Sequence, residues 1–568
     1  MNNFNKINSL IDSKEKLRSI TLLFFIIIAS LFEILSVGMV IPIISLLLDH
    51  RNFLNLIQNY LSQDNFLYLS SLDQTTFITI GLLIFAGIYF VKIFYLIFFN
   101  FFQFHFIYSI KTRISKNFFL NYISMPLLYH KSINTAELIR NINNNIGQFI
   151  YYLQMFITFI AELAVVIGIS LLLFFLETKA TIYIFFIFFI FSVLFYSLTK
   201  KRLKSWGEER QVKEKEIIKN IQESFGGIKE IKIFNKESFF FKKFYNEVFY
   251  AANLDRKQNI ISNLPKYFFE VLAVVSLSLI IWISLYDSGS SFKEILPKIA
   301  LFGAATFRLM PSFNRIISSK QILKFQQASI NILYDENIKL NKELVLQSKK
   351  EKNFNFENLI FKNVSFKYPS SNNQVLENVD LDIKKGNSYG IGGKSGSGKS
   401  TLIDLMLGLI EPTKGKITIN NNDSVKNLGK LWLDKITYVP QKIYLFDNSL
   451  KNNICLEEKD KIDKFRLSNA IRLSGLDELI EKLDYGIDTI VGERGEKLSG
   501  GQIQRIGIAR ALYNLSDIII LDEATNALDT SSETKILKNL FNIEGNKTII
   551  LISHKLSVLK NCNMIYEV

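Results

Sequence analysis

Along its first 330 residues the chain alternates long apolar runs with polar, positively charged connections. Six runs stand out, over 20–48, 77–102, 149–176, 180–198, 267–286 and 295–317. A membrane-spanning helix takes roughly 20 mostly apolar residues, and each run meets or approaches that length. Six in series argue against buried helices of a soluble protein and predict an all-α, six-helix transmembrane domain over residues 1–330. The connections after the second and fourth runs are long, about forty and more than sixty residues. Both keep a helical pattern with mixed charges, as over 206–219, so helices that extend well past the bilayer are predicted, closed by short turns near 126–134 and 225–235. Between the first two runs, Phe53, Leu54, Leu56, Ile57, Tyr60 and Leu61 fall on one face of a short amphipathic helix, expected in the outer interface.

The pattern changes after about residue 330. Residues 331–353 are polar and charged and read as a linker. From 354 to 568 short strand patterns and turns alternate with helical ones. The fully apolar runs 518–521 and 549–552 have the character of strands buried on both faces. An α/β domain with a parallel sheet is predicted there.

Composition agrees with the membrane reading: 50 Phe, 8 Pro and 49% hydrophobic residues. The formal charge of +15 reflects a Lys-rich sequence with cations flanking the spans, and a nucleic-acid partner is not expected. Lys6, Lys14, Lys16 and Arg18, then Lys111, Arg113, Lys116, Lys131 and Arg140, then Lys200, Lys201, Arg202 and Lys204 lie in alternate connections, whereas the others hold Arg51, Lys179 and Lys293. The positive-inside tendency therefore predicts both termini on the cytoplasmic side of a multi-pass protein. Two cysteines, Cys455 and Cys562, imply no disulfide framework. The N-terminal run is too long for a cleavable signal and has no small-residue cleavage site.

The chemistry concentrates in the second half. Gly393-Lys394-Ser395-Gly396-Ser397-Gly398-Lys399-Ser400, followed by Thr401, reads G-x-x-x-x-G-K-S between a strand-like run and a helical one. Such a loop turns backbone N–H groups onto phosphates, with Lys399 on the β/γ-phosphates and the Ser400 hydroxyl on Mg²⁺. Tyr368, at a strand end, is placed to stack on an adenine ring. Next come Tyr438-Val-Pro-Gln441, Leu498-Ser499-Gly500-Gly501-Gln502, Ile518-Ile-Ile-Leu-Asp522 with Glu523, Asn526-Ala-Leu-Asp529, and a strand capped by His554.

This set, in this order, resembles the nucleotide-binding domain of ABC transporters, a P-loop α/β fold with an antiparallel β subdomain, and the whole chain resembles an ABC exporter half-transporter. The resemblance implies ATP and Mg²⁺ as cofactors and an ATP-hydrolysing translocase. It implies that Gln441 couples phosphate and metal to the membrane domain, that Asp522 positions the metal and that Glu523 polarises the attacking water. By the same resemblance His554 contacts the γ-phosphate, Asp529 sits at a dimer interface, and Ser499 to Gln502 close over ATP held by a partner subunit. Val491-Gly-Glu-Arg-Gly495 resembles the segment with which exporters sense the membrane domain. Lys394 and Asn526 depart from the commoner residues at their positions, and the resemblance leads one to expect further strands after Val568. With the hydrolytic residues intact, a homodimer is expected.

The cargo has to be read from the spans. Lys92 and Arg308 lie at similar depth, about 20 Å below the outer ends of their runs, and Arg315 follows Arg308 by two turns on the same face. Pro311 between them predicts a kink. Two readings stand for Lys92 and Arg308: cations lining a cavity, or partners of Glu33 and Glu162. The string Arg308-Leu-Met-Pro-Ser-Phe-Asn-Arg315, with Lys92 and the small outer helix, resembles the lipid-linked oligosaccharide flippases of bacterial N-glycosylation and related surface-glycan exporters. The resemblance implies ATP-driven flipping of an anionic, amphiphilic glycolipid across the bacterial inner membrane, its pyrophosphate on Lys92, Arg308 and Arg315. The alternatives are an exporter of another amphiphile (lipid A core, a drug or a peptide) and, from another class, an ATP-gated channel or regulatory ATPase.

Overall fold

The apolar periodicity of the first half becomes long helices because, in lipid, every backbone polar group must bond within its own segment. The computed structural model describes residues 3–48, 73–176, 178–287, 292–345 and 354–568, less 370, 395, 422, 515 and 544–546. The amphipathic helix expected at Phe53 to Leu61 lies outside the described residues, as does Ser395 of the P-loop. The chain divides into two units, Met1–Met125 with Ile133–Leu344, and Pro126–Ser132 with Val345–Val568.

The first unit is helical throughout. A short helix α1 (Asn3–Leu10) precedes α2 (Ser13–Gly38), which Asp12 and Glu15 open with a reciprocal capping box. Arg113 ties that entry to the next long helix, donating to both Glu15 carboxylate oxygens, at 2.7 and 2.6 Å, and to the Leu10 carbonyl at 2.8 Å. After α3 (Val40–Leu48) come α4 (Gln74–Ser124), then, beyond the short α5 (Leu127–Ser132) that belongs to the second unit, α6 (Thr135–Arg140), a π-helical turn (Asn141–Asn145) and α7 (Ile146–Leu176). Then follow α8 (Thr178–Gly226), the short α9 (Ile228–Ile233), α10 (Glu237–Asp287), α11 (Phe292–Phe325) and α12 (Gln327–Val345). At 51 residues each, α4 and α10 are roughly 76 Å long, more than twice the hydrocarbon thickness of a bilayer. The two short helices α5 and α9 fall where the sequence predicts turns.

Among the described residues five helical segments are long and apolar enough to cross a membrane. The sixth expected span is α11, whose Arg308, Asn314 and Arg315 dilute its apolar character; it runs unbroken through Pro297 and Pro311. A buried cluster on α7, α8, α10 and α11 holds them together, including Ile169, Phe188, Phe269, Phe302, Ala305 and Phe313. Phe188, Phe269 and Phe313 pack ring to ring at 5.3 to 6.0 Å. Outward residues such as Phe94, Phe101, Leu198 and Val274 stay exposed, as lipid-facing side chains do.

The second unit contains two sheets. Strands β1 (Asn358–Phe366), β2 (Leu376–Lys384), β4 (Lys414–Ile419) and β5 (Asp423–Ser424) form an antiparallel sheet in the order β2-β1-β4-β5. Strands β3 (Ser388–Gly392), β6 (Ile436–Val439), β7 (Ile518–Asp522), β8 (Thr548–Ile552) and β9 (Met564–Glu567) form a parallel sheet in the order β6-β7-β8-β3-β9. β7 and β8 are buried at every position, so their unbroken apolar runs are explained.

Two boundaries differ from the sequence reading. Pro126–Ser132 groups with the second unit, because Leu128 packs on its core and Lys131 pairs with Asp404. The stretch read as a polar linker carries α12 through residues 331–345, residues 346–353 lying outside the described set.

Candidate nucleotide site and membrane cavity

The P-loop leaves the carboxyl end of β3 and enters helix α13 (Lys399–Met406). Gly398 caps that helix at φ +99°, a left-handed backbone that an L side chain rarely adopts, and a Cβ there would lie 2.8 Å from Leu376 Cδ2. Lys399 is buried, and its Nζ donates to the carbonyls of Gly393 at 2.9 Å and Lys394 at 2.7 Å. Ser397 Oγ is buried with no hydrogen-bond partner among the described residues, and space is open above Gly396. An ammonium resting on loop carbonyls, an unspent hydroxyl and a helix N-terminus together fit a polyphosphate. Tyr368 is half-buried; its hydroxyl lies 3.2 Å from Thr401 Oγ1 and Lys131 Nζ lies 5.6 Å from its ring centroid.

Glu523 is where the separate strings meet. Its Oε2 accepts from Gln441 Nε2 at 2.8 Å and from Asn526 Nδ2 at 2.9 Å, while Oε1 lies 2.8 Å from His554 Nε2. Its backbone sits at φ +48° and its N–H bonds the Ile552 carbonyl at 2.9 Å, which fixes a buried carboxylate beyond the end of β7. A non-glycine residue in that conformation is strained, and strain of this sort gathers at functional sites. Next to it, Asp522 accepts from the Tyr438 hydroxyl at 3.0 Å. Burial pushes the Asp522 carboxyl above its usual range, the Tyr438 bond pulls it down, and the neighbouring Glu523 pushes it up again.

Ser499 and Gln502 cap one another: Ser499 N–H donates to Gln502 Oε1 at 2.8 Å, and Gln502 N–H to Ser499 Oγ at 3.3 Å, opening helix α14 (Gly500–Asn514). Gly501 lets the Ala527 carbonyl approach, to 3.0 Å of where a Cβ would stand. Among the described residues this turn shares no hydrogen bond or ion pair with residues 393–401. Asp529 caps helix α15 (Thr530–Phe541), accepting from the Ser532 N–H at 2.9 Å and from the Ser531 hydroxyl, and these bonds hold its carboxyl far below the ordinary range.

The helical unit holds an open-sided cavity of about 1020 Å³, its walls drawn mainly from α2, α4, α7 and α11. Glu33, Lys92, Glu162, Arg308 and Arg315 all line it, beside apolar Ile26, Val37, Leu96 and Phe307. Lys92 Nζ lies 2.9 Å and Arg308 Nε 2.8 Å from Glu33 Oε2; Arg315 Nε lies 2.7 Å from Glu162 Oε1. Lys92 and Arg308 thus line the cavity and are at the same time paired with carboxylates.

The structure thus gathers Gln441, Asp522, Glu523, Asn526 and His554 at one place and Lys92, Arg308 and Arg315 at another, while Ser499–Gln502 stays apart from the P-loop. Tyr438 belongs to a string whose spacing assigns it no role of its own. The parallel pairing of Tyr438 with Ile520 puts Tyr438 and Asp522, two residues on, on the same face, a signal available once β6 and β7 are neighbours. Lys131 and Asp404, 2.8 Å apart, lie 273 positions apart in sequence, and no local pattern announces them.

A family model described as ABC transporter transmembrane region matches residues 39–310, and one described as ABC transporter matches 376–526. A putative export ATP-binding/permease protein of Rickettsia felis is 30% identical over 543 residues, covering 92% of this chain and 88% of its own. The ATP-dependent lipid A-core flippase of Wigglesworthia glossinidia brevipalpis is 29% identical over 473 residues, 80% of this chain and 78% of its own. Among solved structures, a bacterial Atm1-family ABC exporter with ATP bound shares the fold with a TM-score of 0.79 at 19% identity, over 98% of this chain and 94% of its own.

Proposed function

Because the chain belongs to the ABC transporter family, as a half-transporter with its membrane region and ATPase domain in one polypeptide, we propose that it flips an amphiphilic, phosphate-bearing lipid of the lipid A-core kind. The observation that carries this is the apolar cavity with three cations, Lys92, Arg308 and Arg315, on its wall. Such a lining suits a charged headgroup joined to acyl chains. The oligosaccharide reading of the sequence gives way to its alternative, since relatives alignable over most of the chain bear the lipid A-core name.

Bound ATP supplies the phosphoanhydride whose hydrolysis drives the cycle, and Mg²⁺ neutralises its phosphate charge. Gly393 to Thr401 would hold the phosphates, with the Lys399 ammonium beside them, and Tyr368 would stack on the base. Ser400, Gln441 and Asp522 would hold Mg²⁺, each offering the kind of hard oxygen donor it favours. Glu523 orients and polarises the attacking water, and His554 meets the γ-phosphate side. Ser499 to Gln502 serve the nucleotide of a second copy, so the working unit is a homodimer in the bacterial inner membrane, with both termini cytoplasmic.

The test is reconstitution in proteoliposomes with labelled lipids. ATP-dependent loss of leaflet protection for a lipid A-core analogue supports the reading; movement of a polyprenyl-pyrophosphoryl oligosaccharide but not of that analogue overturns it.

A further inference from the structure

Each of the cavity's three cations already faces a carboxylate. Glu33 Oε2 accepts from Lys92 Nζ at 2.9 Å and from Arg308 Nε at 2.8 Å, and Lys92 also donates to Ser36 Oγ at 3.1 Å. Glu162 takes Arg315 Nε at 2.7 Å on Oε1 and the Ser312 hydroxyl at 2.7 Å on Oε2, which lies 3.6 Å from an Arg308 terminal nitrogen. Three cations against two carboxylates leave the lining at +1. The side chains are largely out of water, 11% exposed for Glu33 and 12% for Lys92, so unpaired cations there would be costly.

The two carboxylates are not equivalent. Glu162 is fixed by a hydroxyl and sits beside Arg315, the most exposed of the five at 46%. Glu33 uses a single oxygen to bridge an ammonium and a guanidinium on two other helices, α4 and α11. A phosphate oxygen takes the same charge-assisted geometry between such donors. An anionic headgroup entering this cavity therefore competes with Glu33 for the same two donors.

We propose that Glu33 holds the place of a ligand phosphate: a lipid headgroup bearing a phosphate ester displaces its carboxylate from Lys92 and Arg308 and opens the bridge that Glu33 makes from α2 to α4 and α11. This rests on the reading of the cavity as the substrate site. Charge balance sets the class. The lining offers one net positive charge, which matches a singly charged phosphate ester per chain, and a neutral glycolipid has no anion with which to displace Glu33. A pair of chains presents two such bridges, which suits a headgroup with two phosphates.

The experiment uses the full chain in detergent, titrated with phosphatidic acid, phosphatidylglycerol and diacylglycerol, and reads lipid-stimulated ATPase and lipid-induced thermal shift. Both phosphate lipids act on the wild type and diacylglycerol does not. Removing the competing charge with Glu33→Gln lowers the half-maximal phosphate-lipid concentration by about tenfold. Glu33→Asp, which keeps the charge but shortens the reach, lowers it less. An unchanged or higher half-point in either variant, at wild-type thermal stability, overturns the proposal; if Glu33→Gln does not fold, Glu33→Asp alone decides. Should Lys92→Ala and Arg308→Ala leave the half-point unmoved, the cavity itself is not the substrate site. Should they raise it while neither Glu33 variant lowers it, the displacement alone fails.

Discussion

Asp522 depends on a neighbour that its own motif does not name. The Tyr438 hydroxyl holds one carboxylate oxygen at 3.0 Å and pulls down a carboxyl that burial pushes up. A hydrogen bond to a charged group is worth about 1.5–3 kcal/mol, so Tyr438→Phe is expected to lower the ATPase rate about ten- to a hundredfold. The sign with pH follows. Losing the bond raises the Asp522 pKa further, and the ionised form is the one suited to a metal. Activity is then lost as pH falls through a higher value, so the acid limb of the variant's rate profile should move to higher pH. A parallel loss at every pH would mean that Tyr438 serves packing instead. At this scale the cassette was legible because its chemistry is written in short strings, each a strand end with the turn after it. Their convergence on Glu523 needed the sheet, which brings Gln441, 82 positions away, to 2.8 Å. Glu33 and Arg308, 275 positions apart, could be named as a pair from sequence but not chosen over an open cavity.

Helix lengths and turns were legible because an apolar run can do little else in a membrane, whereas the close approaches between helices were not. Gly207 on α8 shows why. A Cβ there would stand 2.0 Å from the Phe325 carbonyl oxygen, which is backbone and cannot turn aside. A Cβ at Gly147 on α7 would meet nothing within 4 Å. Gly207→Ala is therefore expected to destabilise by about 1–3 kcal/mol through overpacking, seen as a lower melting temperature of the purified protein. Gly147→Ala should be neutral or stabilising, by up to about 1 kcal/mol of helix propensity. Equal effects of the two would refute the packing argument. The short helix α5 carries another element-scale consequence. Lys131 pairs with Asp404 at 2.8 Å, with 44% of the lysine side chain exposed. An ion pair so placed contributes about 0.2–1 kcal/mol and is screened by salt. Lys131→Ala should thus barely change the melting temperature, yet reduce lipid stimulation of ATPase, because it loosens a loop from between two spans at the helix that follows the P-loop. A large fall in melting temperature with stimulation preserved would contradict this.

For the whole molecule the deciding residue is Glu523, because it separates nucleotide binding from nucleotide use. Lys399, Ser397 and the loop glycines are independent of it, whereas Gln441, His554 and Asn526 all bond to it. Glu523→Gln keeps the shape and an acceptor oxygen but removes the charge that would polarise a water. The variant should therefore bind ATP as the wild type does and hydrolyse it at least a hundredfold more slowly, since one well-placed general base contributes roughly 10²–10⁴ in rate. If transport needs a turnover for each cycle, flipping in proteoliposomes falls with hydrolysis, and the protein accumulates with ATP enclosed. If ATP serves as a conformational switch, the variant still opens its path and lipid or solute continues to move while no phosphate is released. Measuring phosphate release and lipid movement on the same vesicles thus separates a motor from a gate. Joint loss is the expected result, because a strained backbone at φ +48° that presents a buried carboxylate to three side-chain partners is an arrangement that ATP binding alone would not require.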